Sequence, residues 1–217
     1  MIVVIQCASR KQPGAGHLDP GTGKPVCFVA HPQLAPDDPT CLFARPDDPD
    51  SGSTWRKALV AYNDNPNGNP LGLYPAYQLY GNEVYGRLVD RYGIECAYIL
   101  SAGWGLIRAD FLTPYYDITF SQAAEPYKRR SRTDRYADFC MFPRKASNEI
   151  IFFGGKDYLP LFDALTHNYS NNRLVFFNSD IPPRLSGVAL KRFPTTRRTN
   201  WHYGCASAFL DGTIKLN

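Results

Sequence analysis

The stretch Ile150–Phe177, IIFFGGKDYLPLFDALTHNYSNNRLVFF, decides the fold. Its first four residues, Ile150–Phe153, form an apolar run of strand length. Gly154-Gly-Lys156 is a turn, Asp157–His167 has helical spacing, and Leu174–Phe177 is a second apolar run. A strand, a helix and a second strand in sequence predict a parallel pair with a helical crossover. Upstream, Leu79, Tyr80, Val84, Leu88, Val89 and Tyr92 give Tyr77–Tyr92 a helical period. Gly93 stops that helix, and the buried run Cys96–Leu100 follows. Residues 2–6 read as the first strand. A short helix over Trp55–Tyr62, a basic helix over Ala123–Phe139 and a last helix over Trp201–Leu210 complete the pattern. The expected fold is α/β, a three-layer αβα domain over 1–217. Its mainly parallel sheet has four strands: 2–6, 96–100, 150–153 and 174–177. Ligands of such sheets bind beyond the carboxyl ends of the strands.

Composition agrees with a globular domain. The chain has 217 residues, 44% apolar and 20% charged, and a formal net charge of +4. That excludes disordered, collagenous and coiled-coil classes. No apolar run approaches the length of a membrane span, so no membrane partner is expected. Met1–Ile5 lacks the features of a secretory signal, and the cytoplasm is the default location. The six cysteines lie at least fourteen residues apart, so no C-x-x-C knuckle exists and free thiols are expected.

Residues 11–55 differ in composition, with eight of the eighteen prolines, five glycines and six aspartates. Positions 12–54 read as a Pro/Gly-rich insertion, with a turn at Asp19–Lys24, a strand at Val26–Ala30 and a long loop over Pro32–Ser53. His17, Cys27, His31 and Cys41 fall within it. Cys27-x-x-x-His31 has a zinc-like spacing, but the full set is too loose for a zinc motif. Gly154-Gly-Lys156 lacks the Walker pattern. Neither metal nor cofactor is expected.

Polar groups, glycines and aromatics gather at all four strand ends: Cys7–Lys11, Ser101–Asp117, Gly154–Tyr158 and Asn178–Asp180. Their convergence predicts a site built from Ser9, Ser101, Trp104, Tyr116, Tyr158 and Asn178. Trp104 is a ring able to stack on a base. Asp117 is the first candidate catalytic carboxylate, Asp110 the second, and Lys11 a candidate amine nucleophile. Two basic stretches suit phosphate contacts. Lys128–Arg135 holds five basic residues and one acid, and includes Lys128, Arg129, Arg130 and Arg132. Arg184–Leu210 has five basic residues and no acid. Within the second, Arg197, Arg198, Asn200, Trp201 and His202 combine phosphate donors, an amide and stacking rings. Asn200 is also an ordinary N-cap for the last helix.

Leu100-Ser-Ala-Gly-Trp-Gly-Leu-Ile107 followed by Pro114-Tyr-Tyr-Asp117 and Thr119 resembles the central motif of the YaaA-like family, named for a bacterial peroxide-stress protein. Cys7-Ala-Ser-Arg-Lys11, Pro75–Tyr80 and Gly154-Gly-Lys-Asp-Tyr158 are similar to three further stretches of that family. The resemblance covers 1–11 and 75–165. It implies a uracil-DNA-glycosylase-like α/β domain, nucleobase chemistry without metal and, for some relatives, defence against phages with modified DNA. The resulting expectation is a DNA glycosylase. It would excise a bulky modified base, glycosylated bases included, from base-flipped DNA and leave an abasic site. A DNA-binding stress protein without catalysis and a nucleobase- or nucleoside-processing enzyme are the alternatives.

Overall fold

The computed structural model describes residues 1–65, 68–143, 148–169 and 172–215. Among the described residues, seven strands build the main sheet. They are β1 (Ile2–Gln6), β2 (Ala97–Ser101), β3 (Gly105–Arg108), β4 (Phe139–Cys140), β5 (Ile150–Phe153), β6 (Arg173–Phe177) and β7 (Val188–Arg192). Their spatial order is β4-β3-β2-β1-β5-β6-β7. The four apolar runs read from sequence are the contiguous centre, β2-β1-β5-β6, and every pair among them is parallel. Three strands escape the apolar-run reading. β3 returns antiparallel to β2, pairing Ser101 with Gly105 and Tyr98 with Arg108. β4 adds parallel to β3, and β7 parallel to β6.

Five α-helices are described: α1 (Trp55–Asn63), α2 (Ala76–Leu79), α3 (Val84–Tyr92), α4 (Leu159–Thr166) and α5 (Trp201–Leu210). Consecutive strand residues face opposite sides of a sheet. Phe152 stacks on Phe162 of α4 at 4.4 Å, and its neighbour Phe153 meets Phe209 of α5 at 5.4 Å. Helices α4 and α5 therefore cover opposite faces. Helix α3 joins α5, with Tyr92 stacked on Phe209. Val84, Tyr85 and Leu88 form its buried stripe, and Gly93 ends it at φ +83°.

Three expectations are corrected. The helix expected over 77–92 is two helices. Tyr80 leaves the helical path to bridge Lys11, and Asn82 Oδ1 accepts the Val84 amide at 3.0 Å, starting α3 afresh. Residues 123–139 are not helical. Only a 3-10 turn at Pro126–Lys128 and strand β4 form there. Asp134 Oδ2 takes the Ser131 amide at 2.7 Å, and the Ser131 and Thr133 hydroxyls bond each other. Local side-chain bonds of this kind compete with a helix. Finally, 32–53 is not a structureless loop. Leu42–Ala44 pairs with Val26–Val29, which pairs with Tyr116–Asp117 in a second, parallel sheet, and 49–54 holds a small hairpin. Phe28 from this sheet packs edge-on against Trp104 at 5.0 Å, so the insertion shares the core.

Candidate functional site

Strands β2 and β5 both lie beside β1, so the chain reverses its direction of travel across the sheet at β1. In doubly wound sheets such a switch point opens a crevice between the carboxyl ends of neighbouring strands. Here a cleft of about 550 Å³ occupies that place. Four segments line it: 6–9 after β1, 119–122, 155–158 after β5, and 198–203 at the start of α5. The Gln6 side chain ties the first to the third, its Oε1 accepting the Gly155 amide at 2.6 Å. Phe120 meets Tyr158 edge-on at 5.0 Å, giving the cleft an aromatic wall.

Beneath the cleft lies a buried set of thiol and hydroxyl groups. Cys7 Sγ is 3.1 Å from the Tyr158 hydroxyl and accepts the Ala102 amide at 3.5 Å. The Tyr80 and Tyr116 hydroxyls are 2.8 Å apart. Ser101 Oγ donates to Tyr116 at 2.9 Å and accepts the amides of Gly103 and Trp104. Burial pushes the phenols of Tyr80, Tyr116 and Tyr158 well above their usual range, so they stay protonated. These groups brace the ends of β1 and β2.

The sequence-selected residues separate into groups. Ser9, Tyr158, Arg198, Asn200, Trp201 and His202 line the cleft together. Asn200 sits at the N-cap of α5 in the left-handed region, φ 56°, and its side chain makes no cap bond. Ser101 and Tyr116 are fully buried below the cleft rather than on its wall. Trp104 is not a loop ring free to stack on a base. It lies in the core between Phe28 and Phe139 because the 101–105 turn folds it inward. Asn178 stands outside the lining and bonds the Arg197 carbonyl at 3.3 Å. Arg197 itself is exposed.

The carboxylates divide in the same way. Asp117 is not on the cleft wall, and it pairs with Lys128 Nζ at 2.8 Å. Asp110 lies at the opposite end of the sheet, clamped by Arg108 at 2.6 Å. Asp157 is the carboxylate that lines the cleft; Arg132 is its nearest cation, at 3.9 Å. Its position directly after Gly154-Gly-Lys156, in the loop between β5 and α4, is the signal that could have singled it out. Lys11 is 8% exposed. Its Nζ stands 4.1 Å from the Tyr116 ring centroid and 3.3 Å from the Ser9 carbonyl, and burial lowers its pKa.

Part of the basic run 128–135 is paired with acids within the fold. Lys128 pairs with Asp117 and Glu125, and Arg132 faces Asp157. Arg130 is buried against Asp138 at 2.5 Å and donates to the Ala102 carbonyl, so it is a core residue and not a phosphate contact. Arg129 is half-buried, its backbone bridged to Thr119. In the insertion, His17 bonds the Val26 carbonyl and His31 faces Asp134 at 3.4 Å. Among the described residues no three of the His, Cys, Asp and Glu side chains gather around a common point. No described helix is long and apolar enough to cross a membrane.

No protein-family model, curated protein or solved structure matches this chain.

Proposed function

We propose that the chain hydrolyses N-glycosidic bonds, as a DNA glycosylase that releases a bulky modified base and leaves an abasic site. The observation that carries this reading is the cleft at the switch point, with an aromatic wall and a carboxylate on its rim. Its volume suits a nucleoside-sized ligand. Phe120 and Tyr158 on the lining would be the rings against which a flipped base packs. Asp157, on the lining, would supply the negative charge that stabilises the oxocarbenium-like sugar and orients water. Asp117, already neutralised by Lys128, is less suited to that role.

The reading also takes the chain as a YaaA-like, uracil-DNA-glycosylase-like domain acting in defence against phages with modified DNA. Its support is residue order. The Cys7–Lys11 and Gly154–Tyr158 stretches follow the two strands that flank the switch point, and the Ser101–Asp117 stretch supplies the hydroxyl network beneath it. A second reading, cleavage of free nucleosides or nucleotides, gains support from the pairing of Lys128 and Arg130 with acids, which leaves less free basic surface for a duplex.

The test compares plain DNA with DNA carrying glycosylated cytosine, scored by alkali-dependent strand breaks. Wild-type protein should break only the modified DNA. Asp157→Asn should lose base release by roughly 10²–10⁴-fold, and Asp117→Asn by less than about tenfold, because its charge is already paired. Tight DNA binding without abasic sites would replace the glycosylase by a binding module.

A further inference from the structure

We propose that the start of α5 is a phosphate subsite, which holds the phosphate of the nucleotide whose base enters the cleft. This deepens the reading of the cleft as a nucleotide site and rests on it. Helix α5 spans ten residues, carries no acid in its first turn and has no side-chain cap. Its amino end points partial positive charge at whatever lies before it. Two cations come to the same cleft from different loops: Lys156 after β5 and Arg198 before α5. Neither forms an ion pair among the described residues, whereas Arg56, Arg130 and Arg173 each hold a carboxylate. Thr199 adds a hydroxyl to the lining.

An independent observation comes from His202, in the first turn of α5. Its side chain lines the cleft and is 2% exposed, yet Nε2 has no hydrogen-bond partner. A buried polar atom left unpaired costs about 1–3 kcal/mol. A phosphate oxygen would satisfy it, with the imidazole neutral and donating. Asp157 is the opposing charge on the same lining, and Arg132, which is not part of the lining, lies 3.9 Å from it. The α5 end of the lining, with Arg198, Thr199 and His202, therefore favours an anion, and Lys156 and Asp157 follow one another at its α4 end. A phosphorylated sugar spanning the cleft would meet both ends.

The chemistry required is a phosphate bonded to a nucleoside, either a monoester on a free nucleotide or a diester within a strand. Calorimetric titrations of the full chain distinguish these sources. The ligands are inorganic phosphate, the four deoxynucleosides, their 5′-monophosphates, and a short single strand. At least one monophosphate or the strand should bind tenfold or more tighter than the parent nucleoside, and inorganic phosphate should compete with it. Arg198→Gln and Lys156→Gln should each remove most of that advantage, since charge-assisted bonds are the strong ones. Preference for the monophosphate would mark a free-nucleotide substrate, and preference for the strand would mark DNA. Nucleoside and phosphorylated ligands binding equally, or an advantage surviving both substitutions, would overturn the subsite. None of these readings needs base release. Phosphate discrimination without any abasic product would leave the subsite standing and remove the glycosylase.

Discussion

His202 and Arg130 are two polar side chains held deep in the molecule, and they respond differently to their burial. Burial lowers the His202 pKa to about 3, so its ring is neutral in the folded chain at physiological pH. The unfolded chain binds that proton below about 6.5, and the folded chain does not until about 3. Stability should therefore fall as pH drops through this window, by up to about 1.4 kcal/mol per unit from this residue alone. Urea unfolding at pH 7 and pH 5 checks it. His202→Gln should lose less stability between the two values than wild type, and equal losses would mean the ring is not protected from protons. Arg130 is instead paired with Asp138 at 2.5 Å. Arg130→Ala leaves that carboxylate buried alone and should cost about 3–5 kcal/mol. Unchanged stability with weakened DNA binding would instead return Arg130 to a phosphate-contacting role.

Among the elements, the β2–β3 hairpin shows how a tight turn decides where a whole segment goes. Gly105 has φ +87°, and a Cβ built there would stand 2.6 Å from the Phe139 carbonyl oxygen. Gly105→Ala should cost about 1–3 kcal/mol and speed amide exchange in β4, read by hydrogen-exchange mass spectrometry. Exchange in β4 at the wild-type rate would contradict this account of the turn. The same hairpin explains what was legible in the sequence. Strands β1, β2, β5 and β6 were readable because both their faces are covered, which forces continuous apolar runs. Strands β3, β4 and β7 hold the outer positions and carry Arg108, Cys140 and Lys191, so no such run exists. Residues 128–135 look like a basic helix in sequence because their acidic partners, Asp117, Asp138 and Asp157, are brought to them only by folding. At the site, the strand-end rule pointed to Ser9 and Tyr158, and the acid-free basic stretch pointed to Arg198, Asn200, Trp201 and His202; all of these line the cleft. The strand-end rule put Asp117 first, and no local pattern reveals that folding pairs Asp117 with Lys128 and leaves it off the cleft lining.

Across the whole molecule, the sheet presents clefts at both ends. The one at the carboxyl end lies at the switch point and combines Lys156, Asp157, Arg198 and His202. The other, of about 430 Å³, is lined by Asn63, Asp64, Arg108 and Asp110 from the end of α1 and the end of β3. Their chemistry differs. At the second, the Arg108 guanidinium is already taken by Asp110 and Glu95, so it offers a substrate no free cation–carboxylate pair. Substrate is expected to enter the first cleft. Hydrogen-exchange mass spectrometry of the full chain, with and without a duplex carrying a tetrahydrofuran abasic-site analogue, tests it most directly. Binding should slow exchange at 7–9, 155–158 and 199–203. Slowing confined to 60–64 and 108–112 would put the substrate at the opposite end of the sheet and contradict the account.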